Sequence, residues 1–380
     1  MRIGIISGEY PPMQGGVGAY ARILAGELAD QGQQVYVFSS AAAENTDNRI
    51  HLTNTLSQWG PRCLTTINQW AVKYQLDVVN LQYQTAAYGM SPWIHFLPDT
   101  TRACPIITTF HDLRYPYLFP KAGPVRDWIV SRLAKASRGV IVTNHEDWGR
   151  LSGLPSRELI PIGSNILDAL PENFNPATWR EKAGAQESDF LLAYFGLINS
   201  SKGLDTLLTA LAALRGDGIP ARLVLIGDVG SSDPTNLAYA EHLDQQITVM
   251  GLAPYIDRTG FIDEVSVGAF LTASDVTVLP FLDGASYRRG SLMAAIRYGC
   301  AIVTTTPQTA IPAFLDGDNM LFVPPGNSKV LAQTLRQLAE QPDLRIRLQK
   351  QAALLAGEFT WGHIARSTIN YFQWVIEAMA

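Results

Sequence analysis

The stretch DGASYRRGSLMAAIRYG, residues 283–299, sets Arg288, Arg289, Gly290 and Ser291 directly ahead of an apolar run with helical spacing. A helix start of this kind offers backbone N–H groups and the positive end of the helix dipole, a combination that binds anions. Two arginines before it add charge-assisted donors suited to phosphate. Another cation, Lys202, follows the apolar run FLLAYFG and precedes Gly203 and the helical pattern LDTLLTAL, which carries Asp205 in its first turn. A lysine at a strand-to-helix turn, on the carboxyl side of a sheet, can neutralise a phosphate. Lys202, Arg288, Arg289 and the helix start at Ser291 together suit a diphosphate.

Two more stretches carry chemistry. In SGEYPPMQGGVGAYARIL, Gly15, Gly16 and Gly18 let the backbone approach a ligand closely where a helix begins. The spacing is not G-x-G-x-x-G, and the next apolar run, QVYVFSS, ends in serines instead of an acidic residue. A nicotinamide-binding domain is therefore disfavoured. His111 ends the run PIITTF beside Asp112, at a strand's carboxyl end, where it suits a polar ligand. Asp316-Gly317-Asp318 imitates a carboxylate pair for a divalent cation, but reads better as a turn with glycine at the tight position. The sequence contains no HExxH, Cys/His cluster, Walker A motif or G-x-S-x-G elbow. No metal site is expected.

These groups need a scaffold. In the first half the apolar runs are RIGIIS, QVYVFS, DVVNLQY, PIITTF and GVIVTN, with helical patterns at 17–31 and 124–137. In the second half they are FLLAYFG, ARLVLIG, VTVLPF, AIVTTT and MLFVPP, with helices near 203–214, 263–273, 291–298 and 328–340. Continuous apolar strands separated by helices imply parallel sheets covered on both faces. The pattern restarts at Phe190 after the polar stretch DALPENFNPATWREKAGAQESD, which places a boundary around residues 168–186. The expected architecture is α/β: two doubly wound, Rossmann-like domains, 1–168 and 187–361, facing across a cleft. Ligands in such sheets sit beyond the carboxyl ends of the strands.

Bulk properties narrow the partners. A chain of 380 residues is long for one core, and 47% hydrophobic with 17% charged residues describes a globular protein. The net charge of −5 argues against nucleic acid as a partner. Residues 1–170 hold 14 Lys/Arg against 13 Asp/Glu, and the remainder 15 against 21, so neither half is a polyanion binder. Cys63, Cys104 and Cys300 are too scattered for a disulfide framework or zinc cage. The start, MRIGIISGEYPP, reads as a strand and not a signal peptide, and no apolar stretch spans a bilayer, so a cytoplasmic location is expected. KAGPVRDWIVSRLAKASRGV places Lys121, Arg126, Arg132, Lys135 and Arg138 near Trp128, Ile129 and Leu133. A solvated helix face is the default reading there; peripheral contact with the inner face of a membrane is the alternative.

With these residues assembled, the chain resembles family four of the retaining nucleotide-sugar glycosyltransferases. The resemblance covers nearly the whole chain. It rests on GGVGAYARILAGELADQGQQVYVFS, TTFHD, IPIGSNI, FGLINSSKGLDTLLTAL, LFVPPGN and FTWGHIARSTINYF, in that order. It implies the GT-B fold, a nucleotide diphosphosugar donor held mainly by the C-terminal domain, and an acceptor held mainly by the N-terminal one. By motif position, Gly16, beside Gly15, would approach the donor phosphates, and His111 would contact the donor sugar. Lys202 would hold the diphosphate, and the loop from Arg288 through Gly290 to Ser291 would offer backbone N–H groups. The final helix, 362–380, would pack back on the first domain.

The sequence departs from the family pattern in two places. The usual arginine five residues before the phosphate lysine is Leu197, and the two usual glutamates, eight residues apart, fall on Ser286 and Ala294. Arg288 or Arg289 is expected to replace the missing cation, because a leaving diphosphate needs positive charge. Backbone groups, Ser286 or Asn199 would meet the ribose and sugar hydroxyls; Asp283 is out of register and receives no role. The expected activity is retaining, metal-independent sugar transfer to a hydroxyl on a glycan, a lipid-linked or a small-molecule acceptor. Catalysis would rest on His111, Lys202, Arg288 and Arg289, with a UDP-sugar favoured from family frequency. No other cofactor is expected. The rival readings are a sugar-nucleotide-binding accessory protein with a degenerate donor site and a GT-B sugar-nucleotide epimerase.

Overall fold

The chain divides into two compact units, Met1–Gly163 with Thr360–Ala380, and Ser164–Phe359. The computed structural model describes residues 1–13, 15–45, 47–113, 123–166, 169–229 and 234–378.

In the first unit the strands are β1 (Arg2–Ser7), β2 (Gln34–Ser40), β3 (Ile50–Leu56), β4 (Val78–Tyr83), β5 (Ile106–Phe110), β6 (Gly139–Val142) and β7 (Arg157–Leu159). Between them run α1 (Gly16–Asp30), α2 (Arg62–Tyr74), α3 (Leu97–Thr100), α4 (Gly123–Ala136) and α5 (His145–Arg150). The strands form one parallel sheet in the order β3-β2-β1-β4-β5-β6-β7. Ile3 pairs with Val35 on one side and Val78 on the other, so the winding reverses between β1 and β4. The crevice beyond the carboxyl ends of those strands is where a ligand sits in such a sheet. Every residue of β4 and β5 is buried, the signature of strands covered on both faces.

The second unit contains β8 (Phe190–Phe195), β9 (Ala221–Ile226), β10 (Ile256–Gly260), β11 (Val276–Leu279), β12 (Ile302–Thr305) and β13 (Leu321–Val323). Its helices are α6 (Pro176–Lys182), α7 (Leu204–Gly216), α8 (Pro234–Val249), α9 (Glu264–Ala273), α10 (Gly290–Arg297), α11 (Ser328–Glu340) and α12 (Pro342–Ala356). The parallel order β10-β9-β8-β11-β12-β13 puts the reversal between β8 and β11. Helix α7 buries Leu204, Leu207, Leu208, Leu211 and Leu214 at three- and four-residue spacing, which gives it one apolar stripe toward the sheet.

The last helix, α13 (Trp361–Glu377), belongs to the first unit and packs on α1. Its buried face, including Ile364, Phe372 and Val375, joins the core cluster that holds Tyr20, Leu24 and Leu28 of α1. The Tyr371 hydroxyl accepts a hydrogen bond from the Val140 N–H at 3.0 Å. A Cβ at Gly139 would lie 2.8 Å from that hydroxyl, so glycine is required where α13 crosses β6.

The basic segment around α4 differs from an open amphipathic face. Lys121 and the side chain of Arg126 lie outside the described residues. Arg132 pairs with Asp99 at 3.0 Å, donates to the His95 carbonyl at 3.1 Å and covers the Phe96 ring. Leu133 is core, with no exposed surface, while Trp128 is 59% exposed. Leu133 therefore leaves the surface, because α4 turns it toward the sheet.

Candidate functional site

In the second unit the ends of β8 and β9 are marked by two glycines in conformations other residues avoid, Gly196 at φ 141° and Gly227 at φ 121°. A Cβ at Gly227 would come within 2.5 Å of the Gly196 carbonyl oxygen, so the two backbones meet where side chains would hold them apart. The chain then turns at Asn199. Its side chain accepts from the Ser201 N–H at 3.1 Å and from the Ser201 hydroxyl at 2.7 Å. This turn aims Lys202, and Gly203 at φ 70° hands the chain to α7. A Cβ at Gly203 would sit 2.0 Å from the Pro280 carbonyl oxygen. The Leu282 N–H donates to the Ser201 carbonyl at 2.9 Å, which ties the lysine turn to the loop after β11.

That loop brings Arg289 beside Lys202. The Lys202 ammonium lies 5.2 Å and the Arg289 guanidinium 4.7 Å from the centre of the Phe281 ring, which is fully buried. Arg289 is ion-paired with Asp283. Burial, and then the Arg289 charge, push Lys202 down to about 8, against the opposing pull of Asp283. Two cations thus share one carboxylate. Helix α10 begins immediately after, with no side chain capping its start at Gly290.

These elements surround a pocket of 490 Å³ lined by Asn199, Lys202, Gly290 and Ser291, together with Leu197, Gly196, Gly227, Asp228, Phe261 and Glu264. A half-buried lysine whose charge is poorly compensated, beside a bare helix N-terminus, is suited to an anion with two or more negative oxygens. Phe261, 89% exposed, supplies an aromatic surface at the same pocket.

In the first unit, the loop after β1 folds over the start of α1. A Cβ at Gly15 would meet the Glu9 carboxylate at 1.8 Å, whereas one at Gly16 would meet nothing within 4 Å. A side chain at Gly15 would have to displace the Glu9 carboxylate, and the space beside Gly16 is open. His111, partly exposed, follows β5. Its Nε2 lies 2.8 Å from Gln82 Oε1, and the Tyr20 ring meets its edge at 4.7 Å. Burial pushes His111 down to about 4, so the ring is neutral.

Two glycosyltransferase family models match the chain: residues 14–151 match "Glycosyltransferase Family 4" and residues 189–341 match "Glycosyl transferases group 1". The fold is GT-B, and these two matches, one in each unit, support a glycosyltransferase of the family-four type. It is 25% identical to the phosphatidyl-myo-inositol mannosyltransferase of Mycobacterium leprae (strain TN), over 99% of this chain and 97% of that protein. It is 27% identical to EpsD of Bacillus subtilis (strain 168), over 64% of this chain and 63% of that protein. Among solved structures, Anabaena HepE in complex with UDP superposes with a TM-score of 0.77 at 18% identity, over 97% of this chain and 99% of that one.

Of the residues singled out from the sequence, Asn199, Lys202, Gly290 and Ser291 line one pocket. Arg289 stands beside Lys202 but is committed to Asp283, the residue given no role. Arg288, half-buried, and Ser286, whose carbonyl accepts from the Arg289 N–H at 3.0 Å, are not among the pocket-lining residues. Leu197, at the family's arginine position, is 56% exposed, and Ala294, at a glutamate position, is wholly buried in α10. At 316–318, Gly317 turns with φ 77° and the Asp316 carboxylate accepts from the Phe322 N–H at 2.8 Å. Sequence reasoning missed Gly196, Gly227, Phe261, Glu9 and Gln82. Glycine at the carboxyl end of two apolar runs was the readable signal for the first pair. A glutamine inside DVVNLQY was the signal for the last.

Proposed function

We propose that the protein is a retaining glycosyltransferase that moves a sugar from a nucleotide diphosphosugar, favoured as a UDP-sugar, to a hydroxyl acceptor without a metal ion. The observation carrying this reading is Lys202: a half-buried lysine beside a second cation, facing a pocket closed by the uncapped start of α10. In this reading the diphosphate lies against Lys202 and the N–H groups of Gly290 and Ser291. Arg289 shares its charge between Asp283 and the phosphates, in place of the arginine absent at Leu197. Gly16 admits the phosphates to the start of α1, and His111 meets a hydroxyl of the donor sugar. HepE, crystallised with UDP and with UDP-glucose, supports a uridine nucleotide.

The chemistry follows from charge. The acceptor oxygen bonds to the anomeric carbon as the bond from that carbon to the diphosphate oxygen breaks on the same face. The departing phosphate takes the acceptor's proton. The developing negative charge is met by Lys202, Arg289 and the α10 amides, which need not reorganise as it forms. The acceptor is a glycan, a lipid-linked or a small-molecule hydroxyl. Among the described residues no helix is long and apolar enough to cross a membrane, and a lipid-linked acceptor would be met by peripheral contact, with Trp128 exposed for it.

The test is a thermal-shift titration with UDP, GDP and ADP in EDTA, followed by hydrolysis and transfer assays with the matching sugar nucleotides. A saturable shift with one base, and sugar released from its donor, support the reading. A shift without any sugar release would favour the accessory-protein reading, and no shift with any nucleotide would overturn both.

A further inference from the structure

The buried strand β4 carries two polar side chains, Asn80 and Gln82, both without exposed surface. Spaced by two, they stand on one face of the strand. Asn80 Nδ2 lies 3.1 Å from the Ile107 carbonyl oxygen and 2.9 Å from Thr109 Oγ1. A carbonyl only accepts, so the asparagine must turn its N–H groups to Ile107 and keep Oδ1 for its other neighbour. Gln82 Nε2 donates to that Oδ1. Having used its N–H there, Gln82 presents Oε1 to His111 Nε2 at 2.8 Å. An amide oxygen also only accepts, so Nε2 of the histidine must carry a hydrogen. The chain of donors runs one way, from the imidazole to a backbone carbonyl, and flipping either amide would set like groups against each other.

We propose that Asn80 and Gln82 are positioning residues that lock His111 as the neutral Nε2–H tautomer, so that its Nδ1 accepts a hydrogen bond from a hydroxyl of the donor sugar. The donor half of this rests on the reading of the protein as a sugar-nucleotide transferase; the lock does not. His111 is thereby excluded as a cation for the diphosphate and as an acid for the leaving group. The surroundings agree. Burial alone drives the imidazole toward its neutral form. Among the described residues, the titratable groups beside it include Tyr20 of α1, kept protonated by burial, and the adjoining Asp112. The signal is a glutamine and an asparagine standing where a covered parallel strand otherwise takes apolar residues.

The experiment is two-bond proton–nitrogen NMR on the full chain labelled with 15N-histidine. The His111 signals are assigned by their loss in His111→Gln. Expected is one neutral Nε2–H species, unchanged from about pH 8 to about pH 5. An Nδ1–H tautomer, or an imidazolium at neutral pH, overturns the lock in the wild-type protein without any variant. Gln82→Met removes the acceptor and should release a mixture of neutral tautomers, the ring staying uncharged because its burial is unchanged. An unchanged ring in Gln82→Met would also overturn the lock. Gln82→Glu, with a carboxylate at the same place, should hold Nε2–H and draw a proton onto Nδ1, so the ring titrates above its wild-type value. UDP-glucose should then shift wild-type Nδ1 while UDP alone does not. Equal effects of the two, with UDP still bound, overturn the assignment of Nδ1 to the sugar. No binding of either overturns uridine as the donor base and leaves the lock to the ring signals.

Discussion

Lys202 carries a cost that its surroundings do not repay in the free protein. Its ordinary value of 10.5 falls to about 8 on folding, because burial and Arg289 disfavour the charged form more than Asp283 favours it. The sign follows from linkage. Between about pH 8 and 10.5 the unfolded chain binds the extra proton, so stability contributed at this site rises with pH across that window. Below it the charged lysine is held in the fold at full cost. Replacing Lys202 with methionine should therefore stabilise the nucleotide-free protein at neutral pH, by about 1–3 kcal/mol in urea denaturation, while removing the thermal shift caused by UDP. In the wild-type protein a bound diphosphate favours the protonated lysine, so UDP affinity should be level at about pH 7, where the ligand's terminal phosphate is fully ionised. Well above pH 8 it should weaken by roughly tenfold per unit, as isothermal titration would read. Level affinity up to pH 9.5, roughly, would separate Lys202 from the phosphate.

Two glycines show how differently an element can depend on the same residue type. Gly203 joins the lysine turn to α7 at φ 70°, with the Pro280 carbonyl oxygen where a Cβ would go. Gly203→Ala should cost at least about 2–4 kcal/mol by urea denaturation. Gly16, the first residue of α1, has open space around it, so Gly16→Ala should leave stability within about 1 kcal/mol. If phosphates approach there, the same alanine lowers sugar release from the donor; unchanged turnover would remove Gly16 from the site. Much of this was legible in the sequence because it is local. A lysine, a glycine and a leucine-rich helix follow one another in SSKGLDTLLTAL, and covered parallel strands read as unbroken apolar runs. What escaped was set by register or exposure. Strands β3 and β10 lie at sheet edges and expose much of their length, so IHLTNTL and IDRTG lack the apolar signal. The Asp283–Arg289 pair depends on how the loop after β11 closes, and Gln82 reaches His111 only because β4 and β5 pair with Gln82 opposite Thr109.

At the scale of the whole chain, the second unit is inserted into the first: residues 164–359 separate β7 from α13. The sheet of the first unit is closed on one side by α1, and α1 by α13, through Tyr20, Leu24 and Leu28 against Ile364, Phe372 and Val375. Contacts spanning more than three hundred residues form late and carry a large entropic cost, so they must be strongly apolar to persist. Phe372→Ala, deleting a ring with no exposed surface, should cost about 3–5 kcal/mol, and Tyr371→Phe, loosening one hydrogen bond at Val140, about 1 kcal/mol. The sheet and helices of the second unit all come from residues 164–359. A chain ended after Phe359 should therefore lose hydrogen-exchange protection in β1, β2 and β4 while β8, β9 and β11 retain theirs. Loss in both sheets would mean that the two units unfold as one cooperative body. Retention in both would mean that α13 covers the first unit without supporting it. Loss confined to the first sheet would assign the returning helix to that unit's stability alone, and would leave the lysine pocket intact for a nucleotide to bind.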